Sequence, residues 1–205
     1  MERRDIFRRV LENPNVYSFF QNLVGADRER RILVGEILNL RPGSRVLDVG
    51  CGPADILEHL PDDVDYVGID YSSDYIEAAR KRFGNRGRFF VSDVAQLNSI
   101  GESGFDVAFA VGVLHHLEDD TVRGLMRDVH SVLRPGGRFV TLDPAIEHPQ
   151  NPIARALARL DRGQFVRTAE EYAALGKSAY GDVSAVVRRD LLRIPYSHAA
   201  MQCHV

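Results

Sequence analysis

Short apolar runs and amphipathic segments alternate along the chain from residue 45 onward. The apolar runs predict strands at 45–50, 64–70, 88–92, 105–111 and 136–142. Between them, apolar residues at helical spacing predict helices near 54–60, 73–83 and 119–133, with a short piece near 95–100. Strands that alternate with helices through short connections form a mostly parallel sheet covered on both faces. The pattern therefore predicts an α/β fold, a three-layer sandwich around a doubly wound sheet.

The two ends of the chain depart from this alternation. Within the segment that follows the fifth strand, Thr168 and Glu171 predict a capping box at the start of a helix. Near the C-terminus, residues 183–194 and 197–205 predict a hairpin. At 205 residues the chain fits one domain. We divide this domain into a helical cap at 1–40, a core at 41–144, a helical insertion at 145–180 and a closing hairpin at 181–205.

The segment at 46–57 predicts a strand, a tight turn and a helix. An apolar run that contains Asp48 predicts a buried strand, and Gly50 and Gly52 follow it, separated by one residue. Pro53 then stands where a helix would begin, a position that needs no backbone N–H. A strand, a glycine-rich turn and a helix in this order predict the opening of a nucleotide-type cofactor site.

The charges around this turn narrow the choice of cofactor. A dinucleotide would place its pyrophosphate at the helix N-terminus, but Pro53 removes a donor there and Asp55 and Glu58 repel an anion. The sequence also lacks the third glycine of G-x-G-x-x-G. Asp48, near the end of the strand, suits a ligand that carries a positive charge. S-adenosyl-L-methionine (SAM) has a sulfonium, an amino group and no phosphate, and it fits these features.

The same residues resemble a family motif. Asp48, Gly50 and Gly52 match the D-x-G-x-G-x-G of class I (Rossmann-like) SAM-dependent methyltransferases, and Ala54 replaces the last glycine. The resemblance covers about residues 40–144 and implies a seven-stranded, mostly parallel sheet with an antiparallel C-terminal strand. It also implies transfer of the SAM methyl group to an acceptor, with S-adenosyl-L-homocysteine as the second product.

Acidic residues close the second and third predicted strands. Asp70 stands about 20 residues after the first strand, where a carboxylate that binds ribose is expected, and Tyr71 could lie against the adenine ring. By resemblance to the family, Asp93 accepts a hydrogen bond from the adenine amino group and the backbone N–H of Val94 contacts the ring. Without a ligand, Asp70 would be a helix cap and Asp93 a turn former.

The fourth predicted strand runs into Val111-Gly112-Val113-Leu114-His115-His116-Leu117, which resembles the family's segment at this place. The resemblance implies that carbonyl groups near Val111 meet the amino group of the methionine part of SAM. Cys51, inside the glycine turn, completes the expected cofactor-binding set. Because His115 and His116 are adjacent, we do not expect both to face one site. We interpret His116 as a structural residue beside the acceptor pocket and His115 as a candidate base.

The acceptor side of the site is less defined by the sequence. Asp143 ends the fifth strand and, with His115, is a candidate catalytic residue. Methyl transfer needs a general base only for a poor nucleophile such as a hydroxyl, so O-, N- and C-methylation all stay open. The residues that could line the acceptor pocket are Tyr17, His116, His148, Tyr172 and His198. A metal-dependent variant could use Asp143, His148 and His198, but their spacing matches no metal motif, and we predict no metal.

Composition adds expectations about partners. Basic and acidic residues are mixed, the formal net charge is −3 and no basic tail is present, so we expect a small-molecule acceptor and no nucleic acid. No run approaches the roughly 18 apolar residues of a membrane span, so we expect no membrane contact. Two cysteines, Cys51 and Cys203, cannot build a disulfide framework, which suits a reducing cytoplasm. The short chain offers limited cover for an acceptor, and a homodimer could supply it.

Two other functions stay open from the sequence. A non-catalytic SAM-binding protein with a regulatory or assembly role would explain why no residue is unambiguously a base. A nicotinamide-dependent oxidoreductase could use a similar sheet, although Pro53 and Asp55 disfavour its pyrophosphate.

Overall fold

The computed structural model describes residues 25–160 and 163–205. Residues 1–24, which hold much of the predicted helical cap and Tyr17, lie outside these ranges. One seven-stranded sheet organises the described residues. Its strands are β1 Arg45–Val49, β2 Asp65–Asp70, β3 Gly87–Val91, β4 Phe105–Val111, β5 Leu133–Pro144, β6 Asp182–Arg188 and β7 His198–His204.

The strands lie in the order β3-β2-β1-β4-β5-β7-β6. All neighbouring pairs from β3 to β5 are parallel, whereas β7 runs antiparallel to both β5 and β6. The predicted doubly wound, mostly parallel sheet with an antiparallel C-terminal strand is confirmed. The strand order reverses between β1 and β4, and open α/β sheets bind their ligands beyond the carboxyl ends of the strands at such a point.

Helices cover the sheet on both sides. The α-helices of the described residues are α1 Ala26–Ile32, α2 Ser73–Phe83, α3 Asp119–Val132, α4 Pro152–Leu160 and α5 Ala169–Gly176. A π-helical segment, Leu33–Leu38, continues α1 directly. Shorter 3₁₀ segments occupy Asp55–Glu58, Gly84–Arg86, Val94–Ile100 and Leu114–His116. The predicted capping box is confirmed, since Thr168 and Glu171 exchange hydrogen bonds at the start of α5.

Two hydrophobic clusters pack on opposite faces of the sheet and produce the three layers. Because successive strand residues point to opposite faces, β1 divides its apolar side chains between the clusters. Leu47 and Val49 join the cluster built with α3 and α5, which we call the α3 face. Val46 joins the cluster built with the π-helical segment and α2, which we call the α2 face.

The start of β5 differs from the prediction. The fifth strand was predicted at 136–142, but β5 already begins at Leu133. Leu133 pairs with Phe105 and Arg138 pairs with Val107, so the residues between them form an irregularity inside the strand. Gly136, with a φ of 75°, provides the left-handed backbone for this irregularity. Within the described part of the chain, no helix has the length and apolar character needed to cross a bilayer.

Candidate functional site

The glycine turn after β1 is held by the end of β2. The backbone N–H groups of Gly50 and Cys51 donate to the carbonyl oxygen of Ile69 over 2.8 and 2.9 Å. The N–H of Gly52 donates to Oδ2 of Asp70 over 2.9 Å. Gly52 has a φ of +53°, and a Cβ at this position would meet no atom within 4 Å. The turn therefore exposes a backbone that a ligand can approach closely.

Ala54 explains how the motif works without its last glycine. It is buried and adopts the left-handed conformation, with φ 59° and ψ 35°. A glycine would adopt this conformation without penalty, whereas an alanine there costs about 1–2 kcal/mol. The helix predicted near 54–60 is one 3₁₀ turn at Asp55–Glu58, and Pro53 precedes it in the turn. Our placement of Pro53 at the first helical position is wrong, because Ala54 reverses the backbone before the helix begins.

The two acidic residues that were expected to repel a pyrophosphate, Asp55 and Glu58, form ion pairs with arginines. Asp55 pairs with Arg30 of α1 over 3.2 Å and with Arg82 of α2 over 2.5 Å, and Glu58 also pairs with Arg82. These cations offset the repulsion that Asp55 and Glu58 were expected to exert on an anion. The shortness of the helix is the stronger objection, because a single 3₁₀ turn provides few aligned N–H groups and little dipole for a pyrophosphate.

Asp70 lies where β2 ends and its carboxylate shapes the turn. Oδ2 accepts from the N–H of Gly52, and Oδ1 accepts from the N–H of Ser72 over 2.9 Å. Ser72, not Asp70, caps α2, since its side chain accepts from the N–H of Tyr75. A carboxylate has about four acceptor sites, and these two bonds leave capacity for ribose hydroxyls. Tyr71 beside it is 79% exposed, so one ring is available at this edge.

Asp93 follows the third strand and Val111 ends the fourth, at the same edge of the sheet as the glycine turn. Asp93 caps the 3₁₀ segment Val94–Ile100, with Oδ1 accepting from the N–H of Ala95 over 2.9 Å. Asp93 is exposed and Val94 is half-buried. Val111 ends β4, half-buried, and Gly112 follows with a φ of +65°. The turn-forming role of Asp93 is thus present, and its predicted contact with adenine stays a prediction.

Asp48 faces inward on the α2 face. Its Oδ2 accepts a hydrogen bond of 2.6 Å from the buried hydroxyl of Tyr66. Burial raises the pKa of the Asp48 carboxyl to about 7; the Tyr66 hydrogen bond opposes this rise and the nearby Asp70 adds to it. Burial also raises the pKa of the Cys51 thiol beside it, so this cysteine is held as a neutral side chain. A cationic ligand near Asp48 would favour its ionised form.

We expect Asp48→Asn to stabilise the protein at pH 8 and to have little effect near pH 4. The folded-state pKa of about 7 lies above the ordinary aspartate pKa of 3.8, so the stability contributed by Asp48 falls as the pH rises from about 4 to 7. Asparagine keeps an acceptor for the Tyr66 hydroxyl and carries no charge. In urea unfolding, its advantage should be larger at pH 8 than at pH 5 by on the order of 2 kcal/mol.

The matched control is Asp62→Asn, which removes a carboxylate whose side chain is 94% exposed and pairs with Arg86. Its effect should stay within about 0.5 kcal/mol at both pH values, as for most surface substitutions. If Asp48→Asn gave the same gain at pH 5 and pH 8, ionisation of Asp48 would not be the cause.

The two predicted catalytic candidates, His115 and Asp143, are brought together on the α3 face. His115 Nδ1 lies 2.9 Å from Asp143 Oδ1, and the His115 backbone N–H donates to the same oxygen over 3.2 Å. Because a carboxylate oxygen accepts, the ring donates its Nδ1–H, and the lone pair of the neutral ring is then on Nε2. His115 is 4% exposed and Asp143 is 0% exposed. Within the described part of the chain, the buried Asp143 Oδ2 has no hydrogen-bond partner.

His116 lies directly beside His115. Its ring centroid lies 4.0 Å from that of His115, with 40° between the rings, so the two side chains do not diverge. The backbone folds into a 3₁₀ turn over Leu114–His116, and this turn brings the consecutive rings together. His116 is exposed whereas His115 is buried. The two rings are therefore adjacent, one inside the protein and one at its surface, and the expectation that only one of them faces the site stays a prediction.

Arg167 is a site residue that the sequence analysis missed. All five of its N–H donors are used: Nε and Nη2 donate to Asp119 Oδ1, Nη2 also donates to the Leu117 carbonyl, and Nη1 donates to the carbonyls of Leu114 and Phe165. The side chain is buried. It thus clamps the loop that carries His115. Only its place next to the capping box could have drawn attention to it in the sequence.

The other predicted acceptor-side residues are scattered. Tyr172 is 0% exposed, and its hydroxyl donates to the Pro144 carbonyl over 3.1 Å, so it supports the end of β5 from inside the core. His148 is exposed in the connection after β5. His198 is buried, with Nε2 3.2 Å from Glu29 Oε1. The Tyr172 hydroxyl and the His198 Nε2 are therefore engaged by other groups of the protein, and their place in the acceptor pocket stays a prediction.

His198 also lies on the wrong face to join Asp143. In the antiparallel register, Asp143 pairs with Ala199 and Pro144 pairs with His198, so the side chains of Asp143 and His198 point to opposite faces. The metal alternative that grouped Asp143, His148 and His198 is therefore not assembled. Among residues 25–160 and 163–205, no group of three or more His, Cys, Asp or Glu side chains could hold a metal ion.

Comparison with a library of protein families identifies one match. A model described as a methyltransferase domain matches residues 46–137, the part of the chain that contains the glycine turn, Asp70, Asp93 and His115.

Several curated proteins show sequence similarity to this chain. An uncharacterised 37.1 kDa protein in transposon TN4556 of Streptomyces fradiae is 32% identical over 174 residues, which is 78% of this chain and 50% of that protein. The O-methyltransferase cnsE of Penicillium expansum is 34% identical over 133 residues, which is 62% of this chain and 47% of that protein. The chain thus spans about half the length of these curated relatives.

Among solved structures, the SAM-dependent methyltransferase SibL in its apo form is similar to this chain. The TM-score is 0.74 at 18% sequence identity, and the match covers 97% of this chain and 61% of SibL. At this level of identity the similarity concerns the fold, which is the seven-stranded sheet described above.

Proposed function

Because the chain belongs to the class I SAM-dependent methyltransferases, we propose that it transfers the methyl group of SAM to a hydroxyl of a small-molecule acceptor. The buried His115–Asp143 pair is the observation that carries this proposal. A histidine oriented by a carboxylate is a general base, and a hydroxyl is an acceptor that needs one. The name of the similar protein cnsE, an O-methyltransferase, supports the same acceptor chemistry.

The residues at the carboxyl ends of β1, β2 and β4 are suited to bind SAM. The open space at Gly52 admits a ligand close to the backbone, and Asp70 has acceptor capacity for the ribose hydroxyls. Asp93 and the N–H of Val94 would meet the adenine ring, and carbonyl groups near Val111 would meet the amino group. When bound, SAM supplies a methyl group on a sulfonium, a good electrophile that needs no further activation.

The protein's own residues would act on the acceptor. His115 would take the hydroxyl proton on Nε2 as the oxygen attacks, while Asp143 would hold the ring through Nδ1–H and stabilise the imidazolium. Their burial limits the access of water to the reacting groups. Positioning of the acceptor in line with the methyl group would supply much of the remaining acceleration.

The proposal is tested by titration calorimetry with SAM. We expect the wild type to bind SAM, and Asp70→Asn to weaken binding by about 10- to 100-fold, the range of 1.5–3 kcal/mol for hydrogen bonds to charged groups. The amide would present N–H groups where the carboxylate now accepts from Gly52 or Ser72 and could accept from ribose.

Asp74→Asn is the matched control, because Asp74 is an exposed carboxylate in the first turn of α2. It should bind SAM like the wild type. Absence of SAM binding by the wild type at millimolar concentration would refute the proposal, and unchanged affinity of Asp70→Asn would refute the ribose role alone. The methyl acceptor is sought by incubation of the wild type with SAM and a panel of hydroxylated and amino metabolites.

A further inference from the structure

Arg167 contacts both parts of the chain that carry the His115–Asp143 pair. Its side chain donates to the carbonyls of Leu114 and Leu117, which bracket the two histidines in the loop after β4. Its main chain lies beside the extension of β5: the Ile146 N–H donates to the Arg167 carbonyl over 3.0 Å, and Arg167 forms a parallel bridge with Ala145. Asp143 stands two residues before Ala145.

The neighbouring residues of Arg167 reinforce this connection. Phe165 donates its N–H to the His115 carbonyl over 2.9 Å, and its own carbonyl accepts from the Arg167 guanidinium. A Cβ at Gly163 would lie 1.9 Å from Cδ2 of the His115 ring, so this part of the insertion lies directly against the imidazole. The insertion thus contacts His115 at its ring, its carbonyl and its flanking carbonyls.

We propose that Arg167 is a positioning residue that fixes His115 against Asp143. A buried guanidinium with all five donors satisfied is rigid, because each lost bond would leave a charged donor unpaired. Its planar fork fits carbonyls and a carboxylate at fixed angles, which a lysine ammonium with its flexible stem cannot reproduce. Arg167 therefore sets the distance of 2.9 Å between His115 Nδ1 and Asp143 Oδ1 from both sides.

The test is Arg167→Lys, which keeps the charge and loses the fork. We expect SAM affinity within twofold of the wild type and kcat lower by about 100-fold, the usual effect of displacing a catalytic group by about 1 Å. We also expect loss of the downfield proton NMR signal of the His115 Nδ1–H, which is assigned by its absence in His115→Gln. This signal is recorded without any methyl acceptor, so it tests the positioning role of Arg167 even if the proposed function is refuted.

Arg86→Lys is the matched control. Arg86 donates to two main-chain carbonyls and pairs with Asp62 just before the amino end of β3, and it has no bond to the loop after β4 or to Asp119 among its hydrogen bonds. It should keep both kcat and the NMR signal. A folded Arg167→Lys with the signal and the turnover of the wild type would overturn the proposal.

A second variant covers the case in which Arg167→Lys does not fold. Asp119→Asn removes the charge that accepts two of the five bonds and leaves the three carbonyl bonds. We expect it to broaden the His115 Nδ1–H signal and to lower kcat by less than Arg167→Lys would. A sharp, unshifted signal together with wild-type turnover in Asp119→Asn would overturn the proposal.

Discussion

Substitution of His115 by glutamine is expected to lower turnover by about 10²- to 10⁴-fold, the contribution of a well-placed general base. Glutamine can still donate an amide N–H to Asp143, so the buried carboxylate keeps a partner. It cannot accept the hydroxyl proton at the position of Nε2. The residues proposed to bind SAM are unchanged, so SAM affinity should stay within about threefold of the wild type, and the loss should appear in kcat.

The control for His115→Gln is His204→Gln. His204 is an exposed histidine at the end of β7, the opposite edge of the sheet from the carboxyl ends of β1 and β4. It should leave turnover unchanged. Full turnover by His115→Gln would show that the methyl acceptor needs no general base, which is the behaviour expected of an amine. The proposed hydroxyl acceptor would then be refuted, whereas the proposed methyl transfer from SAM would not.

The fold and the position of the glycine turn follow closely from sequence because their signals are local. The parallel sheet is encoded by apolar runs that alternate with amphipathic helices, and each run ends where a carboxylate or glycine follows. Asp70 illustrates the point: it was predicted to close the second strand, and it is the last residue of β2, where its carboxylate accepts a hydrogen bond from the N–H of Gly52. Parallel strands end at one edge, so strand order alone brings these residues together.

The acceptor side depends on information that a local pattern does not contain. A residue's place at a strand end gives the edge of the sheet, whereas its face depends on the register to within one residue. His198 and Asp143 differ by this single step, and they lie on opposite faces. Tyr172 likewise belongs to an amphipathic helix, and its sequence pattern does not show whether the apolar side of the helix lines a pocket or packs in the core. In the structure Tyr172 packs in the core.

The role of Arg167 could not be predicted from the sequence for a third reason. Its partners Leu114, Leu117 and Asp119 precede it by about fifty residues, and two of them contribute backbone carbonyls that carry no sequence signal. A buried arginine is recognised only when its donors can be matched to acceptors in space.

Gly52→Ala is expected to weaken SAM binding by about 100-fold or more while the protein stays folded. A Cβ at Gly52 meets no protein atom within 4 Å, so the methyl group enters the space that is left for the ligand. The Gly52 N–H is held by Asp70, so the backbone cannot retreat, and overpacking of this kind costs about 1–3 kcal/mol or more. Titration calorimetry with SAM measures the loss.

The backbone conformation makes alanine, not valine, the right probe. Gly52 has a φ of +53°, where a β-branched residue would be a severe outlier, while Ala54 shows that this turn already accommodates an alanine at a φ of 59°. Gly101→Ala is the control for the strain, since Gly101 has a φ of +69° and equal open space away from the turn. Both variants should lose about 1–2 kcal/mol of stability, and only Gly52→Ala should lose affinity for SAM. If Gly52→Ala bound SAM as tightly as Gly101→Ala does, the cofactor would not lie against this turn.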